Sequence, residues 1–203
     1  MRKSYGKILI AGLITAVIIS NACSFIRDGR NLEKLRHSVL RLHILANSDS
    51  EYDQNLKLMV RDRLLDADIF ENAENLEDAE NSAREKLPEI VEISEGVLRE
   101  NGCYMPVSAE IEDIYFDERV YGDITMPAGN YRALRINIGR AEGHNWWCVM
   151  YPPLCIPAAC EVDDNKECED KFFDENQLDI MYKPQKYQVR FAVWDMIKSI
   201  KDN

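Results

Sequence analysis

"SVLRLHILANSDSEYDQNLKLMVRDRLLD", residues 38–66, changes its hydrophobic period part-way along, and that change sets the fold class. Leu40, Leu42 and Ile44 alternate with Arg41 and His43, the period of a half-buried strand. Asn47, Ser48, Asp49 and Ser50 end the alternation and supply side-chain oxygens that cap helix N-termini. From Glu51 onward Tyr52, Leu56, Met59, Val60 and Leu64 share one face at helical spacing, with Lys57, Arg61 and Asp62 off it. A strand therefore runs directly into an amphipathic helix.

The same two periods recur downstream. Leu76, Ala79, Ala83, Leu87, Ile90, Val97 and Leu98 keep helical spacing. Pro88 lacks an amide donor, so it marks a kink or the first turn of a second helix, which ends at Asn101-Gly102. Val107, Ala109 and Ile111 alternate, then Ile114 and Phe116 take up the opposite phase, which predicts a bulge. "MPAG" at 126–129 reads as a turn, and Leu134, Ile136 and Ile138 alternate with Arg135 and Asn137 beyond it. A fourth strand follows in "GHNWWCVMYPPLC", residues 143–155. "EVDDNKECEDKFFDEN", residues 161–176, reads as a solvated acidic loop, and a last helix puts Val189, Val193, Met196 or Ile197, and Ile200 on one side. The expectation is an α+β fold: a small, mainly antiparallel sheet packed with amphipathic helices, as a single domain over residues 35–203 after an N-terminal leader, with 159–185 as an acidic loop or insertion.

The leader is residues 1–22, a signal peptide or membrane anchor. Arg2, Lys3 and Lys7 precede the apolar run "ILIAGLITAVIIS", and "SNAC" offers small residues at a cleavage position before Cys23. The run is short for a span of roughly 20 apolar residues, which favours a cleaved leader. Either way the remainder is exported, and roughly 180 residues suffice for one full core. The chain carries a formal net charge of −11, and losing the leader removes basic residues only, so nucleic acid and anionic lipid headgroups are poor partners. Export also permits disulfides among the six cysteines.

The 143–155 stretch holds the chemistry worth weighing. His144 and Cys148 resemble a base and its nucleophile, but in an extended strand they stand about 13 Å apart, too far to share a proton. Cys148, Cys155, Cys160 and Cys168 lack the close paired spacing of zinc sites, so no metal is expected. The Pro-Pro bend between Cys148 and Cys155 brings those two within reach of a disulfide. Alternation puts Trp146, Cys148 and Met150 on one face and Asn145, Trp147, Val149 and Tyr151 on the other. Both sets are apolar, so either the last helix covers the second face or one tryptophan, with His144 and Asn145, stays open as a partner anchor. His144, Asn145, Trp146 and Trp147 are the candidate partner-binding residues. No catalytic residue and no cofactor is assigned.

"LRLHILANSDSEYDQNLKLMVRDRLL", "YGDITMPAGNYRALRINIG" and "GHNWWCVMYPPLC", in that order, resemble the stage II sporulation protein R family. The resemblance covers roughly residues 35–156 and more loosely the last helix. It implies a signalling protein made in the forespore and secreted into the space between the two membranes around it. There it would switch on a membrane-embedded aspartic protease of the mother cell, which cleaves a pro-sigma factor. It implies no catalytic residue and no small-molecule substrate. Cys103, Cys160, Cys168 and the acidic loop fall outside the pattern. The competing reading is a secreted hydrolase using Cys148 or a carboxylate pair.

Overall fold

The structure, a computed structural model, describes residues 2–67, 69, 73, 75–152 and 172–201. Along them run α1 (Arg2–Arg36), β1 (Leu40–Leu45), α2 (Glu51–Asp66), α3 (Leu76–Glu85), α4 (Leu87–Glu100), β2 (Val107–Phe116), β3 (Arg119–Tyr121), β4 (Ile124–Met126), β5 (Gly129–Ile138), β6 (Asn145–Tyr151), α5 (Glu175–Tyr182) and α6 (Gln188–Lys201). The fold is α+β. Residues cluster into two compact units, Arg36–Glu118 with Ala128–Phe172, and Met1–Leu35 with Arg119–Pro127 and Phe173–Asn203.

The first unit is built on a four-stranded sheet in the order β2-β5-β1-β6. β1 runs parallel to β5 and antiparallel to β6, and β2 runs antiparallel to β5. The sheet is thus mixed, with antiparallel pairs in the majority. β1 is central, which changes the expectation of a half-buried strand: Arg41 and His43 are buried along with Leu40, Leu42 and Ile44. Leu40, Leu42 and Ile44 point to the face covered by helices, where Leu40 and Tyr151 join Ala79 and Ala83 of α3 in one cluster. Arg41 and His43 point to the opposite face. There the Arg41 guanidinium lies 4.0 Å from the Phe116 ring centre and 4.9 Å from that of Tyr131, and aromatic faces attract such a cation.

The expected bulge is in a different strand. β2 pairs with β5 without interruption from Val107↔Ile138 to Phe116↔Gly129, so its two apolar sets lie on opposite faces of the sheet with no bulge between them, and only Val107 and Phe116 at its ends are buried. The shift in register falls instead in β6, where Tyr151 pairs with Leu40 but Val149 pairs with Arg41. Met150 is the extra residue. Tyr151 consequently turns to the helix face, away from Trp147, contrary to simple alternation.

Helix ends follow local chemistry. Ser50 caps α2 by accepting from the Asp53 amide, and Asn75 caps α3 through Asp78. Pro88 sits in the first turn of α4, and Gly102, at φ 73°, lets the Cys103 amide return to the Leu98 carbonyl at 2.8 Å. The buried side of α2 carries Asp53, Leu56, Lys57, Val60 and Leu64, while Tyr52 and Met59 are exposed. The helix is therefore turned relative to the expected face.

In the second unit β3 and β4 form a hairpin, and α6 packs along α1, with Phe25 against Trp194 at 5.8 Å. α5 occupies part of the 159–185 stretch expected as loop. A capping box starts it, with Asp174 accepting from Asn176 and Gln177 while Gln177 returns to the Asp174 amide. The apolar set expected to face inward on α6, Val189, Val193, Met196, Ile197 and Ile200, is exposed; Phe191 is the buried side chain.

Candidate functional site

Two loops meet at the end of the sheet where β1 leads to α2 and β5 leads to β6. Ala46, Asn47, Ser48, Asp49 and Ser50 form the first; Gly139 to His144 form the second. The Gly143 amide donates to the Ala46 carbonyl at 2.9 Å and the Glu142 amide to the Asn47 carbonyl at 3.3 Å. Asn47 Oδ1 accepts from the Arg140 amide at 3.1 Å, and its Nδ2 donates to Asp53 at 2.8 Å. Ser48 Oγ donates to the same Asp53 carboxylate oxygen at 2.5 Å. These donors hold the Asp53 carboxyl below the usual carboxylate range against the opposing effect of burial.

Glycine is required where the loops touch. Gly139 has φ 58°, and a Cβ there would lie 2.5 Å from Asn47 Oδ1. A Cβ on Gly143 would lie 2.2 Å from the Ser48 carbonyl oxygen. Both contacts are too close for any side chain.

His144 is at the exposed edge of this junction. Its amide donates to Asp49 Oδ1 at 2.6 Å, and its ring Nδ1 lies 2.5 Å from the same oxygen. Those two contacts hold the Asp49 carboxyl low, so it is an acceptor, and Nδ1 carries the proton. The His144 carbonyl accepts from Lys57 Nζ at 2.9 Å, and Gln54 accepts from the same ammonium at 2.5 Å. Burial pushes the Lys57 pKa down. An acid, an imidazole and an ammonium thus fix the start of β6.

The two tryptophans that follow diverge. Trp146 turns to the helix side, with the Arg61 guanidinium 4.2 Å from its ring centre. Trp147 turns to the opposite face, stacked on His43 at 4.2 Å and edge-on to Phe116 at 4.6 Å. Both are half-buried, and Asn145 is exposed beside them. Burial, with the nearby Arg135 charge, pushes the His43 pKa down to about 4, so its ring is neutral at physiological pH. Next to it Arg135 pairs with Glu112 at 2.8 Å and donates to Asn137 at 3.0 Å, forming a half-exposed polar strip.

Cys148 is disulfide-bonded and buried, which removes it as a thiolate nucleophile. Cys23 and Cys103 are free. Cys155, Cys160 and Cys168 lie outside the described residues. Among the described residues no group of three or more His, Cys, Asp or Glu is placed to hold a metal ion.

The loop junction, both indoles and the sheet beneath them fall inside one matched segment: the family model described as Stage II sporulation protein R covers residues 36–161. The chain belongs to the stage II sporulation protein R family. Stage II sporulation protein R of Bacillus subtilis (strain 168) is similar to it, 38% identical over 143 residues, which take in 69% of this chain and 63% of the relative. The chain therefore spans less than two-thirds of that relative's length. No solved structure matches significantly.

Within the family segment, sequence reasoning named His144, Asn145, Trp146 and Trp147 and missed Asn47, Asp49, Asp53 and Lys57. The signal for Asn47 and Asp49 was present in "ANSDS", a run richer in capping oxygens than one helix start needs. Lys57 carried no signal, because its burial depends on a carbonyl far away in sequence.

Proposed function

We propose that this chain is an exported sporulation signal that binds and activates a membrane-embedded aspartic protease of the mother cell, triggering processing of a pro-sigma factor. Membership of the stage II sporulation protein R family carries this reading. The surface we assign to the partner is the start of β6: His144 and Asn145 exposed, with the half-buried Trp147 on the sheet face away from α2. An indole framed by polar groups suits the centre of a binding patch, since tryptophan is enriched among residues that dominate interface energy. Asp49 and Lys57 position this patch through the His144 backbone and ring.

We further assign the disulfide partner of Cys148 as Cys155, across the Pro152-Pro153 pair in the sequence. Export permits that bond, and the compartment we assign to the chain is the space between the two membranes around the forespore, into which the forespore exports it.

The test is reconstitution. Co-production of the exported chain, the protease and its pro-sigma substrate in one bacterial host should yield processed sigma factor. Omitting the chain should leave the pro-form uncut. Processing that is equally efficient without the chain contradicts the proposal.

A further inference from the structure

We infer that α1 is a retained membrane anchor, and that the bilayer is the permanent partner of its N-terminal half. This goes beyond the signalling role and does not depend on it. Read as sequence, the apolar run is short for a span, and a cleavage position follows it. The helix alters both points.

No charged residue occurs between Lys7 and Arg27, and residues 8–26 lie in one uninterrupted helix. That stretch is about 28 Å long at 1.5 Å per residue, close to the roughly 30 Å of a bilayer's hydrocarbon core. Its apolar side chains have no cover: Ile8, Leu9, Ile10, Leu13, Ile14, Val17, Ile18 and Ile19 are all more than half exposed. Two of its polar side chains are satisfied within the helix. Thr15 Oγ1 donates to the Ala11 carbonyl at 2.9 Å, and Asn21 Nδ2 donates to the Val17 carbonyl at 2.8 Å. A hydroxyl and an amide paired in this way cost far less in hydrocarbon than unpaired ones.

The C-terminal half of the same helix is part of the folded unit. Arg190 of α6 donates to Ser24 Oγ at 3.1 Å and pairs with the buried Asp28. Trp194 covers Gly29 so closely that a Cβ there would lie 2.2 Å from the indole. Lys198 pairs with Glu33 at 2.5 Å, and Leu32 and Leu35 are fully buried. Packing against α6 therefore begins at Ser24, immediately after the candidate cleavage position between Ala22 and Cys23. Leader peptidases act on extended chain, yet residues 13–28 contain neither glycine nor proline to end the helix, and Asn21 is bonded back into it. The span and the folded unit form one continuous rod, which leaves no extended segment to cut.

The test follows the full chain in an exporting Gram-positive host, with membranes separated, washed in alkaline carbonate and analysed by intact mass. We expect a species that retains residues 8–26, stays with the washed membranes and is released only by detergent. A companion variant, Ile18→Gly with Ile19→Pro, breaks the helix ahead of the cleavage position. It should shift at least ten-fold from membrane-bound to soluble protein beginning at Cys23. A wild-type chain that already begins at Cys23, or full-length chain that the carbonate wash releases, overturns the inference. A wild-type chain retained alongside a breaker variant that is equally retained overturns helix continuity as the cause.

Discussion

The imidazole of His43 and the indole of Trp147 stack with ring centres 4.2 Å apart and planes 19° from parallel. The pair links a central strand to an edge strand of the described sheet, and Phe116 closes its side. The candidate partner residue and the buried histidine thus share one environment, so a change in either is felt by both.

Trp146→Ala and Trp147→Ala separate packing from binding. Each truncation should cost about 2–3 kcal/mol of stability, below a fully buried aromatic because both rings are half-buried. Thermal melts measure that loss. Signalling by Trp147→Ala should fall further than its folded fraction accounts for, whereas Trp146→Ala should lose signalling only in step with folding. Equal, purely proportional losses would place the partner surface elsewhere.

Stability should fall in mild acid. His43 has its pKa lowered to about 4 from 6.5, so the unfolded chain binds the extra proton first as pH drops. Its contribution is fully present above about pH 6.5 and is lost progressively toward pH 4. Allowing for partial solvent screening, the loss between pH 7 and 4.5 should be about 1–2 kcal/mol. Asp53 and Asp174 have lowered pKa values, so their contributions are lost only below the ordinary carboxylate range. Denaturant titrations of wild type and His43→Leu across this window should show the slope in wild type alone. An unchanged slope in the variant would assign it to another group.

Gly143→Ala should be among the most damaging small substitutions in the chain. The new methyl meets a backbone oxygen at 2.2 Å, and neither loop can withdraw without breaking the 2.9 Å bond between Gly143 and Ala46. A loss of about 2–4 kcal/mol is expected, against about 1 kcal/mol for Ser50→Ala, which removes only a helix cap. Urea denaturation of the two variants side by side checks the order.

Non-reducing peptide mapping of the exported protein should recover a linked Cys148–Cys155 peptide and an alkylated Cys103. A linkage from Cys148 to Cys160 or Cys168 would contradict the assignment.

What could be read from the sequence depended on whether its cause was local. β1, α2, the helix start at Pro88 and the stop at Gly102 rest on periods, caps and breakers within a few residues, and the sequence displays them directly. The centrality of β1 was hidden, because a buried Arg41 is tolerated only where the rings of Phe116 and Tyr131 converge on it from other strands. The bulge was sought in β2, where apolar residues on both faces imitate a phase change, and it was found at Met150, where β6 meets Leu40. The aromatic stretch stood out as a candidate site, but the groups that hold it, Asp49 and Lys57, read as solvated charge until the loops were brought together.

The most direct test of the central claim is the processing assay with purified parts: the exported chain, the protease in vesicles and the pro-sigma factor, followed by the appearance of cleaved product. The account predicts cleavage that rises and saturates with added wild-type chain and is strongly reduced with folded Trp147→Ala. Cleavage that proceeds at the same rate without the chain, or none at any concentration of it, would contradict the account.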